Sequence, residues 1–91
     1  MAEIRVAARA ESGGWRCDVE VREGGSSTRH DVVVSRADLD RLAPGGDVRL
    51  LVHRSFEFLL ARESKESILP RFEISVIGRY FPEYERTIRG S

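Results

Sequence analysis

RAESGGWRCDVEVREGGSSTRH, residues 9 to 30, holds two double-glycine turns and, between them, an unbroken alternation of apolar and charged side chains. Trp15, Cys17, Val19 and Val21 alternate with Arg16, Asp18, Glu20 and Arg22, the period of two of a strand with one face buried. Upstream, Ile4, Val6, Ala8 and Ala10 alternate with Arg5, Ala7, Arg9 and Glu11. Downstream, Gly24-Gly25-Ser26-Ser27 turns the chain into a segment carrying Val32 and Val34. The pattern predicts a three-stranded antiparallel β-meander with strands at about 3–11, 15–23 and 28–34.

Loop length sets the expected register. A two-residue loop at Gly13-Gly14 puts Ser12 opposite Trp15, Ala10 opposite Cys17, Ala8 opposite Val19 and Val6 opposite Val21. A four-residue loop at 24–27 puts Val21 opposite His30, Val19 opposite Val32 and Cys17 opposite Val34. Both choices give one apolar inner face. The other face carries Arg5, Arg9, Arg16, Asp18, Glu20, Arg22, Arg29 and Asp31, and is expected to be solvated.

After Ser35 the period changes. Ser35 caps a short helix at about 36–42, with Asp38 at its positive end, and Ala43-Pro44-Gly45-Gly46 stops it. Asp47 is the cap candidate for a helix at 48–63, whose apolar stripe is widened by Leu50, Phe56 and Leu60 until Arg49, His53, Arg54 and Glu57 are the clearly polar positions. So narrow a wet strip implies cover on two sides. Further helices are expected at 65–69, 72–81 and 83–89, although Phe72, Ile74 and Val76 also fit a strand. The fold class read from the sequence is α+β, with the helical C-terminal part packed on one face of the meander.

Ninety-one residues suit one domain, 1–91, with a modest core. Fifteen basic and fifteen acidic residues cancel, with signs interspersed, so the whole chain offers no field to gather nucleic acid or an anionic membrane. One cysteine, no leader-like start and no apolar run near the ~20 residues that span a bilayer indicate a cytoplasmic protein.

The stretch ARESKESILPRFEISVIGRYFPEYE, positions 61 to 85, resembles the C-terminal part of short bacterial proteins of unknown function, and Thr28 to Val32 resembles a stretch of their strand-rich first part. The resemblance implies that the pattern recurs and brings no activity with it. Three strands followed by helices also resemble, at the level of fold, the antitoxin partners of small RNA-cleaving toxins.

Reactive residues are few, and the expectation is no enzymatic activity, no metal and no cofactor. Cys17 reads as a small core hydrophobe and His30 as a partly buried residue paired locally. The two histidines lack the spacing of a zinc site, and the glycine pairs lack the lysine and hydroxyl of a phosphate-binding loop. A nucleic-acid alternative treats 48–63 and 72–81 as a helix-turn-helix with Arg71, Arg79, Arg86 and Arg89 on phosphates. Against it, Glu73 on the reading helix opposes phosphate, so nucleic acid is the lesser expectation. The favoured reading is a protein-interaction or regulatory module, a homodimer or the binder of another protein, with Tyr80, Phe81 and Tyr84 reaching past the core to the partner.

Overall fold

A computed structural model describes residues 2–90. The chain runs through strands β1 (Glu3–Glu11), β2 (Gly14–Glu23) and β3 (Ser26–Ser35), then helices α1 (Arg36–Leu42) and α2 (Val48–Leu60). A 3-10 turn (Lys65–Ser67), strand β4 (Arg71–Glu73), a second 3-10 turn (Ile74–Val76) and helices α3 (Ile77–Tyr80) and α4 (Tyr84–Arg89) follow. The architecture is α+β with its helices in the C-terminal part. The sheet, however, has four strands in the order β1-β2-β3-β4, and β4 runs parallel to β3. The three expected strands pair antiparallel, and β4 adds a fourth, parallel strand that makes the sheet mixed.

Both hairpins close on two-residue loops, Ser12-Gly13 and Gly24-Gly25. Gly24 and Gly25 take φ of +66° and +81°, two successive left-handed residues whose turn matches the twist of the flanking strands. Gly14 belongs to β2 and not to the loop. Trp15 accordingly faces Ala10, Cys17 faces Ala8, Val19 faces Val6 and Val21 faces Ile4. On the other side Val21 faces Thr28, Val19 faces His30, Cys17 faces Val32 and Trp15 faces Val34. Each register departs from expectation by two residues. Because side chains alternate with a period of two, such a slip changes every partner and leaves every side chain on its face.

Ser35 Oγ accepts the Asp38 amide at 3.0 Å and Asp47 accepts the Arg49 amide at 2.8 Å, so both expected caps are made. Helix α2 ends at Leu60, short of 63, where the Arg62 amide bonds the Leu59 carbonyl three residues back and tightens the last turn, leaving the Phe58 carbonyl to the Arg62 side chain. Its buried residues, among them Val52, Phe56, Phe58 and Leu59, meet the inner face of the sheet on one side and α4 on another. Leu50, counted in the apolar stripe, is 57% exposed on the back of the helix. No helix among the described residues is long and apolar enough to cross a membrane.

The expected helices at 65–69 and 72–81 give way to other structure. The first is a single 3-10 turn. Pro70 has no amide and pushes Leu69 toward an extended backbone, and its carbonyl accepts the Asp31 amide at 2.8 Å. That bond starts the pairing of Arg71, Phe72 and Glu73 with Asp31, Val32 and Val33. Satisfying the edge of β3 outweighs the local helical pattern, so Phe72 enters the core from a strand and helix survives only over Ile77–Tyr80. Cys17, Val19, Val21, Val32 and Val34 from the sheet, and Phe56, Ile74, Ile77, Tyr84 and Ile88 from the C-terminal part, form one core.

Candidate functional site

Between the end of α2 and α3 the chain passes through a 3-10 turn, β4 and a second 3-10 turn, and the side chains of these segments do not fill the space between them. An apolar groove of about 240 Å³ results, walled by Leu59 and Glu63 on one side, Ser67, Ile68 and Leu69 on another, and Phe72, Val76, Ile77, Tyr80 and Phe81 on the third. Leu59, Ile68, Phe72 and Ile77 are core residues and make the floor. Leu69, 44% exposed, and Tyr80, 68% exposed, stand on the rim. Phe81 is half-buried and set edge-on to Phe58, ring centroids 5.8 Å apart at 83°.

Arg62, next in sequence to the groove residue Glu63, braces the end of α2. Its guanidinium lies 3.6 Å over the Phe58 ring, donates to the Phe58 carbonyl at 3.0 Å and pairs with Glu83 at 3.2 Å, tying the end of α2 to the turn before α4. The Glu83 carboxyl is held below its ordinary range by its own backbone amide and then by Arg62. Glu63 makes no ion pair among the described residues and is the one carboxylate of the lining.

Of the three residues expected to reach a partner, Tyr80 and Phe81 are brought together here. Tyr84 is not. It is 1% exposed, its hydroxyl is 2.6 Å from Ser55 Oγ, and its ring packs edge-on to Phe58 at 5.2 Å, so it belongs to the core. Leu69 carries no mark of a rim residue in the sequence beyond its place before Pro70, which holds it extended.

The four arginines of the nucleic-acid alternative are not gathered. Arg71 flanks inward-facing Phe72 and so projects from the open face of the sheet, 3.7 Å from Asp31, whereas Arg79, Arg86 and Arg89 lie on α3 and α4 in the helical layer. Arg89 is paired with Glu85 at 3.6 Å. The segment expected to be the reading helix is a strand, a 3-10 turn and one helical turn, too short to lie along a major groove.

Cys17 and His30 come nearer than expected, because the shifted register makes them diagonal neighbours. They still form no dyad. Both His30 nitrogens are engaged, Nδ1 donating to the Leu69 carbonyl at 2.8 Å and Nε2 hydrogen-bonded with Thr28 Oγ1 at 2.8 Å. Burial, aided by Asp18 and Asp31, pushes the Cys17 thiol up to about 11, which keeps it protonated. His30 is paired locally, with Thr28 two residues back, and also at long range, with the Leu69 carbonyl 39 residues along, which ties β3 from inside to the segment before β4. His53 lies 3.7 Å from Glu57 on the outer side of α2. No group of three or more His, Cys, Asp or Glu among the described residues could hold a metal ion.

No family model, curated protein or solved structure matches the chain.

Proposed function

We propose that this protein is a non-catalytic, self-associating interaction module of the cytoplasm that docks a segment of a partner protein in the groove beside Tyr80. The observation that supports it is the exposure of Tyr80 and Leu69 on the rim of a groove floored by the core. At about 240 Å³ the groove falls short of the roughly 300–1,000 Å³ of sites that enclose a drug-sized ligand. It suits instead one apolar anchor side chain of another chain, the kind of contact that dominates protein interfaces. Glu63 in the lining favours a basic residue beside that anchor. The occupant is therefore a peptide segment with an aromatic or aliphatic anchor and a basic neighbour.

The test is selection of peptides from a phage-displayed library on the native protein, with Tyr80→Arg as the counter-selected control. Enriched peptides should share an apolar anchor beside Lys or Arg, shift the NMR signals of Leu69, Val76 and Phe81, and bind at least tenfold more weakly to Tyr80→Arg. Enrichment no better than on the control would sink the reading.

A further inference from the structure

Strand β1 is an edge strand: among the described residues no strand pairs with its far side, and α2 packs against it. It runs nine residues without proline or bulge, two of the devices by which natural sheets blunt such edges, although Glu3, Arg5, Arg9 and Glu11 give it charged side chains. Its inward side chains Ile4, Val6 and Ala8 are only half-buried, whereas their partners Val21, Val19 and Cys17 are fully buried. The apolar face of the sheet therefore runs on past the last strand.

The backbone of that edge has a definite polarity. A two-residue loop makes Glu11 and Gly14 the hydrogen-bonded pair that closes it, and the alternation of an antiparallel ladder then assigns Arg9, Ala7, Arg5 and Glu3 to bonds with β2. The amides and carbonyls of Ile4, Val6 and Ala8 point away from the sheet. The same alternation, carried to β3, aims the Asp31 amide at β4, where it meets the Pro70 carbonyl.

We infer that β1 pairs antiparallel with β1 of a second copy of this chain, about a two-fold axis at Val6, joining two four-stranded sheets into one of eight. This rests on the reading of the protein as self-associating and uses the edge of the sheet opposite to β4 and the groove. With the axis at Val6, Val6 meets its own copy, Ile4 meets Ala8 of the second copy, and Glu3 meets Arg9 of the second copy, twice over by symmetry. Arg9 faces Arg16 within its own sheet and makes no ion pair among the described residues; Glu3, paired with Arg5 of its own strand at 2.9 Å, lies where Arg9 of the second copy shares its carboxylate. Moving the axis one residue, to Ala7, sets Arg5 against Arg9 and Glu3 against Glu11, like against like. Moving it to Ala8 sets Arg5 against Glu11 but leaves Ile4 opposite Ser12, without an apolar partner. Charge and apolar pattern together select Val6.

The experiment is solution mass by light scattering across a range of concentrations, with amide exchange followed by NMR on the native chain and on three variants. The native chain should show twice 10.3 kDa, with the Ile4, Val6 and Ala8 amides slowing as dimer forms. Val6→Pro removes an amide that bonds only to the second copy, and should give a folded monomer. Arg9→Glu should raise the dimer dissociation constant roughly tenfold or more, and adding Glu3→Arg should bring it back. The charge exchange decides the matter if Val6→Pro fails to fold. A native monomer at millimolar concentration overturns the inference, and so does a dimer that ignores these variants. Peptide capture at the groove reads out separately, since Tyr80→Arg should leave the β1 dimer intact.

Discussion

Gly14 stands at the first residue of β2, paired on one side with Glu11 and on the other with Ser35. A Cβ placed there would lie 2.2 Å from the Val34 carbonyl oxygen and 2.8 Å from Ser35 Cα, both backbone atoms that cannot swing aside. Gly78 is the opposite case: it sits in α3 with φ in the ordinary helical region, and a Cβ there meets nothing within 4 Å. Gly14→Ala should therefore cost about 2 kcal/mol or more, while Gly78→Ala should gain about 0.5–1 kcal/mol by restricting the unfolded chain. Urea midpoints check both; equal effects of the two substitutions would show that close approach at Gly14 is not what sets its cost.

Between strands, the open face of the sheet carries a local conflict. Asp18 sits directly opposite Asp31, and Arg16 and Arg71 both attend to Asp31, at 2.7 Å and 3.7 Å. Like charges directly opposite destabilise a ladder, and aspartate is a poor strand residue. Asp18→Thr is thus expected to raise stability by about 0.5–1 kcal/mol, by a smaller margin at high salt, where the repulsion is screened; a lowered melting temperature in low salt would refute this. The hairpins were legible because glycine pairs and a strict period of two coincide, and even a two-residue error in register left the inner face intact. Strand β4 was legible only as an ambiguity, since Phe72, Ile74 and Val76 satisfy both periods. The Asp31 amide settled it, by offering Pro70 and the residues after it a bond that no local pattern announces. The groove followed from that choice: a helix over 72–81 would have swung Tyr80 and Phe81 elsewhere, and Tyr84 entered the core because Ser55 on α2 met its hydroxyl.

Two buried acids, Cys17 on the sheet and Tyr84 on α4, tie stability to pH at the alkaline end. Burial raises the Cys17 thiol from its ordinary 9 to about 11 and the Tyr84 phenol from 10 to about 12. The unfolded chain releases these protons first, so the stability they confer is whole below about pH 9 and is lost as pH rises through 11 and 12; a two-unit difference is worth at most about 3 kcal/mol per group. Unfolding free energy should fall between pH 9 and 12, and Tyr84→Phe should flatten the upper part of that fall; an unchanged profile in Tyr84→Phe would show that its titration is not coupled to folding. By itself the sequence determined the inner face of the meander, the caps at Ser35 and Asp47 and the α+β class, because each depends on residues near one another in the chain. Tertiary structure alone decided the fourth strand, the burial of Tyr84, the groove at Tyr80 and the bare edge of β1. Each of these depends on which unsatisfied amide or apolar surface a distant segment reaches, and spacing along the chain does not carry that information.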